Sequence, residues 1–320
     1  MTKEEVLKSI GLKKRFCKDR NLPINLFDEP YFMQRLEAID PLFGCTLDFE
    51  LFCSELSRYE NEQDYFEYYN SVKDNIINKI KENPDFIRFQ QENFDRQNLL
   101  KMCSVQNRNL YSDDNDGGMF VSIDMKKANF SALRHYSPNI FDGKETWEDF
   151  VGEFTDSDHI KYSKYIRQVI LGACNPKRQV NYESFLMLKL LTYLMVDISD
   201  FDVLSIGNDE IIIVDYGLGL TYKEISEAVK SCPDGIGSLV RCELFGLNKV
   251  GKYGWMKKMY QLDDDGGIWL DEIKFKGIQA EIYHQIIKYY FGNEITEDDL
   301  VFRYNGELAR FLKEVGNPWK

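Results

Sequence analysis

No stretch of this 320-residue chain is apolar for long enough to span a membrane. Its N-terminus, Met-Thr-Lys-Glu-Glu-Val-Leu-Lys, lacks the apolar core of a signal peptide. No membrane is therefore expected among its partners. Paired cysteines are missing as well. Cys17, Cys45, Cys53, Cys103, Cys174, Cys232 and Cys242 are scattered, odd in number and without a C-x-x-C spacing. That pattern argues against a disulfide framework or a zinc site and for a reducing cytoplasm. Internal repeats and low-complexity tracts are also absent. Basic charge is short: 40 Lys and Arg against 53 Asp and Glu leave a net charge of −13. Tight, non-specific duplex binders usually carry a basic footprint, because phosphate contacts dominate their affinity. What the chain does have is apolar mass, 43% hydrophobic and 14% aromatic, enough for one large domain or two to three smaller ones.

Charge is local, and one stretch runs against the total. Lys249 to Lys258 holds four lysines and no acid, with Tyr253 and Trp255 interleaved. A second run, Lys13-Lys14-Arg15 with Lys18 and Arg20, is expected to be a solvated face. Residues 1 to about 110 read as helical, with apolar residues at three- and four-residue spacing in Glu29–Leu42, Asp48–Tyr59 and Asp64–Ile80. The dense Phe and Tyr there are explained by packing. Helices are also expected at Lys161–Leu171, ended by Asn175-Pro176, at Tyr182–Met195, at Thr221–Cys232, at Ala280–Phe291 and around Gly306–Val315. Trp255–Leu262 and Ile268–Ile278 read as paired strands. The acidic turn between them, Asp263 to Gly267, lacks the spacing and terminal Glu of a calcium loop and is expected to be a hairpin turn.

Two segments carry chemistry. Met119-Phe-Val-Ser-Ile-Asp124 and Val203-Leu-Ser-Ile-Gly-Asn-Asp209-Glu210, the latter running on into Ile-Ile-Ile-Val214, each bring an acid to the end of an apolar run. Each predicts a buried strand delivering a carboxylate to a sheet edge, the second as a hairpin with Gly-Asn-Asp-Glu at its tip. A lone Asp at a strand end is usually a turn or a cap. Two of them, 85 residues apart with room for helices between, make a stronger case. Carboxylates on neighbouring strands can hold two Mg2+ or Mn2+ ions, the arrangement that drives in-line phosphoryl transfer. Asp124 and Asp209 are the expected catalytic acids and metal ligands, with Glu210 assisting or flanking. Lys161, Lys164 and Arg167 are expected on one helix face, where they could meet a triphosphate, and Gly172 would let a base pair approach the backbone. The plain alternative is an amphipathic surface helix.

These residues resemble the motifs of right-hand-palm, template-dependent polymerases, most closely the family B DNA polymerases, including protein-primed ones. The family's D-x-x-S-L-Y-P-S resembles Asp124-Met-Lys-Lys-Ala-Asn-Phe-Ser131, and its K-x-x-x-N-S-x-Y-G resembles Lys164-Tyr-Ile-Arg-Gln-Val-Ile-Leu-Gly172. Its Y-x-D-T-D-S resembles Ser205-Ile-Gly-Asn-Asp209-Glu210, and its K-x-Y resembles Lys258-Met-Tyr260, followed by Lys274-Phe-Lys-Gly-Ile278. The likeness covers about residues 118–278, and only the order and joint presence of these degenerate motifs carry weight. Gln168, Leu171 and Gly207 depart from the family pattern, and the first 110 residues show no proofreading pattern.

The resemblance implies an α+β chain with a helical N-terminal region over 1–112 and a palm over 113–247, an antiparallel sheet with helices on one face. Finger-like helices would be inserted at about 141–195, and 248–320 would be thumb-like. It implies a compact nucleotidyltransferase, a small DNA polymerase or primase-like enzyme of viral or mobile-element type, with primer/template and nucleoside triphosphates as partners. Lys164, Arg167, Gly172, Asn129 and Phe130 would meet the nucleotide. Lys252, Lys257, Lys258 and Tyr260 would meet nucleic acid. Asn129 stands where the family has a tyrosine that rejects ribose, so ribonucleotides are expected to be accepted; a one-residue shift would put Phe130 there instead. A partner subunit could supply the missing basic surface. Two other readings remain: an inactive palm-like nucleic-acid-binding or assembly scaffold, and an unrelated α/β protein whose Asp-ending strands are coincidence.

Overall fold

The apolar spacing of the first hundred residues produces seven helices in the computed structural model, which describes every residue except 104, 199, 200, 218, 263–266 and 312–320. They are α1 (Lys3–Lys8), α2 (Ile10–Asp19), α3 (Tyr31–Phe43), α4 (Cys45–Leu56), α5 (Glu62–Glu82), α6 (Pro84–Gln91) and α7 (Arg96–Cys103). Strand β1 (Met119–Met125) follows. Helices α8 (Ala128–Tyr136), α9 (Trp147–Val151), α10 (Asp158–Tyr162), α11 (Lys164–Gly172) and α12 (Pro176–Asp197) come next. The hairpin β2 (Val203–Ile206) and β3 (Glu210–Val214) leads into α13 (Leu220–Lys230) and α14 (Ile236–Leu239). The chain then forms β4 (Val240–Val250), β5 (Gly254–Leu262), β6 (Ile268–Lys276), α15 (Ala280–Tyr290), β7 (Val301–Tyr304) and β8 (Glu307–Arg310). The protein is thus α+β. Among the described residues no helix is long and apolar enough to cross a membrane.

The chain divides into two compact units that alternate along the sequence. One comprises 1–78, 146–170 and 277–320; the other comprises 79–145 and 171–276.

The first unit is built on aromatic packing. Phe16 meets Phe49 and Phe52 edge-on or tilted at 5.1 and 5.4 Å, and Phe52 meets Tyr65 at 5.9 Å. Beside them lies the buried carboxylate of Asp19. It accepts from Tyr69 Oη (3.1 Å) and Ser163 Oγ (3.0 Å), and His159 Nε2 sits 2.9 Å away. These partners satisfy a charge that would otherwise be costly to bury. The N-terminal basic run is a solvated face only in part: Lys14 and Lys18 are exposed, and Lys13 and Arg15 are not. Lys13 is 2% exposed, pairs with Glu29 and lies over the Phe32 ring, while Arg15 stacks on Tyr69 and Tyr165. Their aliphatic stems and π-facing heads make these cations part of the packing.

Two helical expectations change. The basic helix expected over Lys161–Leu171 is broken at Ser163, whose backbone is extended. Its Oγ accepts from Ile166 N at 3.0 Å and so caps α11. Lys161 therefore lies on α10, apart from Lys164 and Arg167 on α11. The helix expected around Gly306–Val315 is, in its described part, a hairpin strand. Asn305 and Gly306 both take positive φ (48° and 88°), the turn that Asn-Gly favours, and Tyr304 pairs with Glu307 across it.

In the second unit six antiparallel strands pair in the order β2-β3-β1-β4-β5-β6. The two acid-bearing segments are neighbouring strands at one side of this sheet, as their apolar runs predict. The acidic turn joining β5 and β6 lies mostly outside the described residues. One face of the sheet buries Val121, Ile123, Met125, Ile211, Ile213 and Leu244. Helix α13 packs on this face, and any side chain at its N-cap residue Gly219 (φ +96°) would press on Leu244 and Leu262. The opposite face carries Phe120, Ile212, Phe245, Leu247, Trp255 and Met259 in a second apolar cluster, closed by Leu110 and Tyr111.

Replacing Ser163 by alanine should remove both the cap of α11 and one donor to the buried Asp19 carboxylate. The expected loss is about 2 kcal/mol in urea unfolding. A change below about 0.5 kcal/mol would show that neither bond matters to stability.

Candidate active site

The register of β1 decides which acids meet. Asp124 lies directly opposite Glu210 on β3 and opposite Arg241 on β4. Successive strand residues point to opposite faces. Phe120, Ser122 and Asp124 therefore share a face with Glu210 and Ile212 on one side and with Arg241, Glu243 and Phe245 on the other. This is the face turned away from α13. Its apolar part is the Phe120–Phe245 cluster, and its polar part is an ion network. The Arg241 guanidinium donates to Asp124 Oδ2 through Nε (3.1 Å) and Nη2 (2.8 Å), and its Nε lies 3.5 Å from Glu243. Ser122 Oγ donates to Glu210 at 2.7 Å.

Burial pushes the Asp124 carboxyl above the ordinary range; Arg241 opposes that, and Glu210 and Glu243 add to it. Burial likewise pushes Tyr111 up to about 12, with Glu210 contributing. Lys257 shares this face and is 9% exposed, its Nζ 4.4 Å from the Phe245 ring centre and 5.9 Å from that of Tyr111. Burial lowers its pKa, while Glu210 draws it back up. Lys257 is thus an internal cation of the sheet, so placed that a nucleic-acid backbone does not reach it.

The expected partner of Asp124 was Asp209, and the cross-strand partner is Glu210, one residue on. Asp209 is exposed at the hairpin tip, and its carbonyl accepts from Met125 N at 2.9 Å. Asp209 stands just outside β3, at the bend of the hairpin. There its charge is felt by Glu183 on α12.

The remaining candidates fall in several places. Asn129 Nδ2 donates to Glu183 Oε1 at 3.0 Å. Phe130 is a core residue, 4% exposed and packed on Phe141 at 4.7 Å, so it is not placed as a sugar-contacting ring. Gly172 is exposed, with nothing within 4 Å of where a Cβ would sit, so no neighbour in the described structure requires a glycine there. Lys164 and Arg167 belong to the first unit; Lys164 is exposed, and burial lowers Arg167, with Glu148 opposing. Lys252 lies in the exposed turn between β4 and β5, over the Tyr253 ring at 5.0 Å. Lys258 and Tyr260 alternate onto the α13 side of β5, away from Lys257. A Cβ at Gly246 would come within 3.2 Å of the Tyr260 ring and of Met119 Sδ, so glycine leaves room for that ring beside β4.

Three residues of this region, Arg241, Glu243 and Glu183, were not singled out by the sequence reading. The first two stand on β4, where Val240-Arg-Cys-Glu-Leu alternates apolar and charged residues as a half-buried strand does. Glu183 is the lone acid of Tyr182–Met195, a stretch rich in apolar residues. It is 3% exposed, and burial, with Asp209 adding, raises its carboxyl to about 7.

The donor chemistry fits a hard divalent cation. Asp124 and Glu210 offer carboxylate oxygens, and magnesium is usually bound through one or two carboxylates plus substrate phosphates. Among the described residues no three His, Cys, Asp or Glu side chains are arranged to hold an ion by themselves. An ion here would complete its shell with substrate and water. The fold and site thus describe an antiparallel sheet with helices packed on one face and an ionised pair of strands on the other. Compared with known proteins, the chain matches no family model, no curated protein and no solved structure.

Glu183 makes stability depend on pH. Its folded pKa lies above the unfolded value, so the folded state holds the extra proton between about pH 4.5 and 7. Stability should fall as pH rises through that window, by up to about 3 kcal/mol. Glu183→Gln should flatten this slope in urea melts taken from pH 5 to 8. An unchanged slope would place the titrating group elsewhere.

Proposed function

We propose that this protein is a metal-dependent nucleotidyltransferase that adds nucleotides to a nucleic-acid 3′ end, a small polymerase or primase-like enzyme with the six-stranded sheet as its palm. The observation that carries the reading is the cross-strand pair Asp124–Glu210. Two carboxylates meet on one sheet face, on the strands whose sequences resemble polymerase motifs. Bound Mg2+ or Mn2+ would supply activation of the attacking 3′ hydroxyl and stabilisation of the leaving pyrophosphate. Asp124 and Glu210 would hold the ions, with Ser122 fixing the Glu210 carboxylate through its hydroxyl. Glu243, opposite Ser122 on β4, is the next acid on this face, and Asp209 stands beside Glu210 at the hairpin tip. The resemblance, with Asn129 in place of the family's tyrosine, supports acceptance of ribonucleotides as well as deoxyribonucleotides. Lys252, in the exposed turn between β4 and β5, remains a proposed nucleic-acid contact, whereas Lys258 and Tyr260 lie on the sheet face opposite the carboxylate pair.

A second reading, a palm-like scaffold without catalysis, is favoured by the Arg241–Asp124 ion pair, which places a protein cation where a metal would bind.

Incubating the protein with primed and unprimed templates, dNTP or NTP, and either metal should yield extended product. Asp124→Asn and Glu210→Gln should each lower incorporation by more than about a hundredfold while leaving the melting curve intact, since losing a direct ligand exceeds the 10–100-fold cost of losing its supports. Full activity in Asp124→Asn would move the chemistry to another site. Nucleic-acid binding with no product under any condition would favour the scaffold.

A further inference from the structure

We infer that Arg241 is a phosphate-binding residue of this site, parked on Asp124 until a metal ion and an anionic substrate arrive. The inference rests on the nucleotidyltransferase reading and adds to it a residue that no motif identifies. Arg241 is the direct cross-strand neighbour of Asp124, and two of its nitrogens converge on one oxygen, Asp124 Oδ2. Its side chain is half exposed, so the guanidinium sits at the surface of the network and can turn outward without unpacking the sheet. Lys257, a second cation on this face, has no such freedom, because it is buried over Phe245.

The planar fork of a guanidinium matches phosphate as well as it matches carboxylate. Three carboxylates (Asp124, Glu210 and Glu243) face these two cations, so the network is net acidic and attracts a further cation. A divalent ion taking up Asp124 would repel Arg241 from it. The freed guanidinium would remain anchored on β4, directly across from the residue that would hold the ion. That is within reach of a nucleotide phosphate sharing the ion. The same side chain would therefore oppose metal binding in the empty site and support nucleotide binding in the loaded one.

This gives Arg241→Gln two effects of opposite sign. Manganese(II) alone, titrated into the full-length protein and followed by electron paramagnetic resonance, should bind about two- to fivefold tighter than in wild type, as expected for removal of a partly exposed ion pair. Binding of dATP in saturating manganese should weaken about tenfold, the scale of a lost charged hydrogen bond. Arg241→Lys keeps the charge without the fork, so it should retain the wild-type metal affinity and share the nucleotide defect. Asp124→Asn should remove the manganese site in either background. An ion pair that only braces β1 against β4 would leave both affinities unchanged or weaken both, and either result overturns the inference. If wild type incorporates nucleotide while Arg241→Gln shows neither shift, the enzymatic reading stands and this role for Arg241 falls. If manganese never binds at Asp124, both fall.

Discussion

A slip of one residue between β1 and either neighbour would turn Asp124 from the open face of the sheet to the face packed on α13. It would also carry Phe120 out of its apolar cluster. The pairing of β1 between β3 and β4 is therefore the constraint on which the site depends. It is fixed by apolar burial on both faces at once: Val121, Ile123 and Met125 on the helix side, Phe120 against Phe245 at 5.5 Å on the other. Neither set can be exchanged for Ser122 and Asp124 without burying a hydroxyl and a charge among side chains that cannot pair with them.

That register places opposite charges in adjacent columns of one sheet face. Asp124 stands between Glu210 and Arg241, and Glu243 and Lys257 complete the set. Like charges on neighbouring strands are unfavourable unless cations intervene. In the described structure Arg241 intervenes between Asp124 and Glu243. The face is electrostatically prepared for a cation and already partly satisfied by one, so any metal must compete with a protein side chain. The net charge of −13 has a local counterpart here. Three acids on this face meet two cations, and buried Lys257 balances them from within.

Much of this was legible in the sequence. The apolar runs ending in Asp124 and at Gly-Asn-Asp-Glu were readable as strands, and so were the long helices and the β5–β6 pair. The choice between Asp209 and Glu210 was not. Ile211-Ile-Ile-Val214 is apolar throughout, because β3 is buried on both faces, and a strand without alternation hides its phase. The β4 strand does alternate, but its Arg and Glu read as surface residues until its neighbours are known. Residues distant in sequence supplied the rest: Asp19 draws Ser163 into a cap, and this divides what periodicity alone reads as one basic helix. The Asn-Gly at 305–306 is a hairpin signal, and the described chain turns there.

The central claim is that Asp124 and Glu210, together on one face, form the cation site. Anomalous diffraction from crystals grown with manganese and a non-hydrolysable nucleoside triphosphate tests it most directly. The account predicts a manganese peak between these two carboxylates, with Arg241 turned from Asp124 to a phosphate oxygen. A peak beside Asp209 and Glu183 on the helix side, or an Arg241–Asp124 pair undisturbed under saturating manganese and nucleotide, would contradict it.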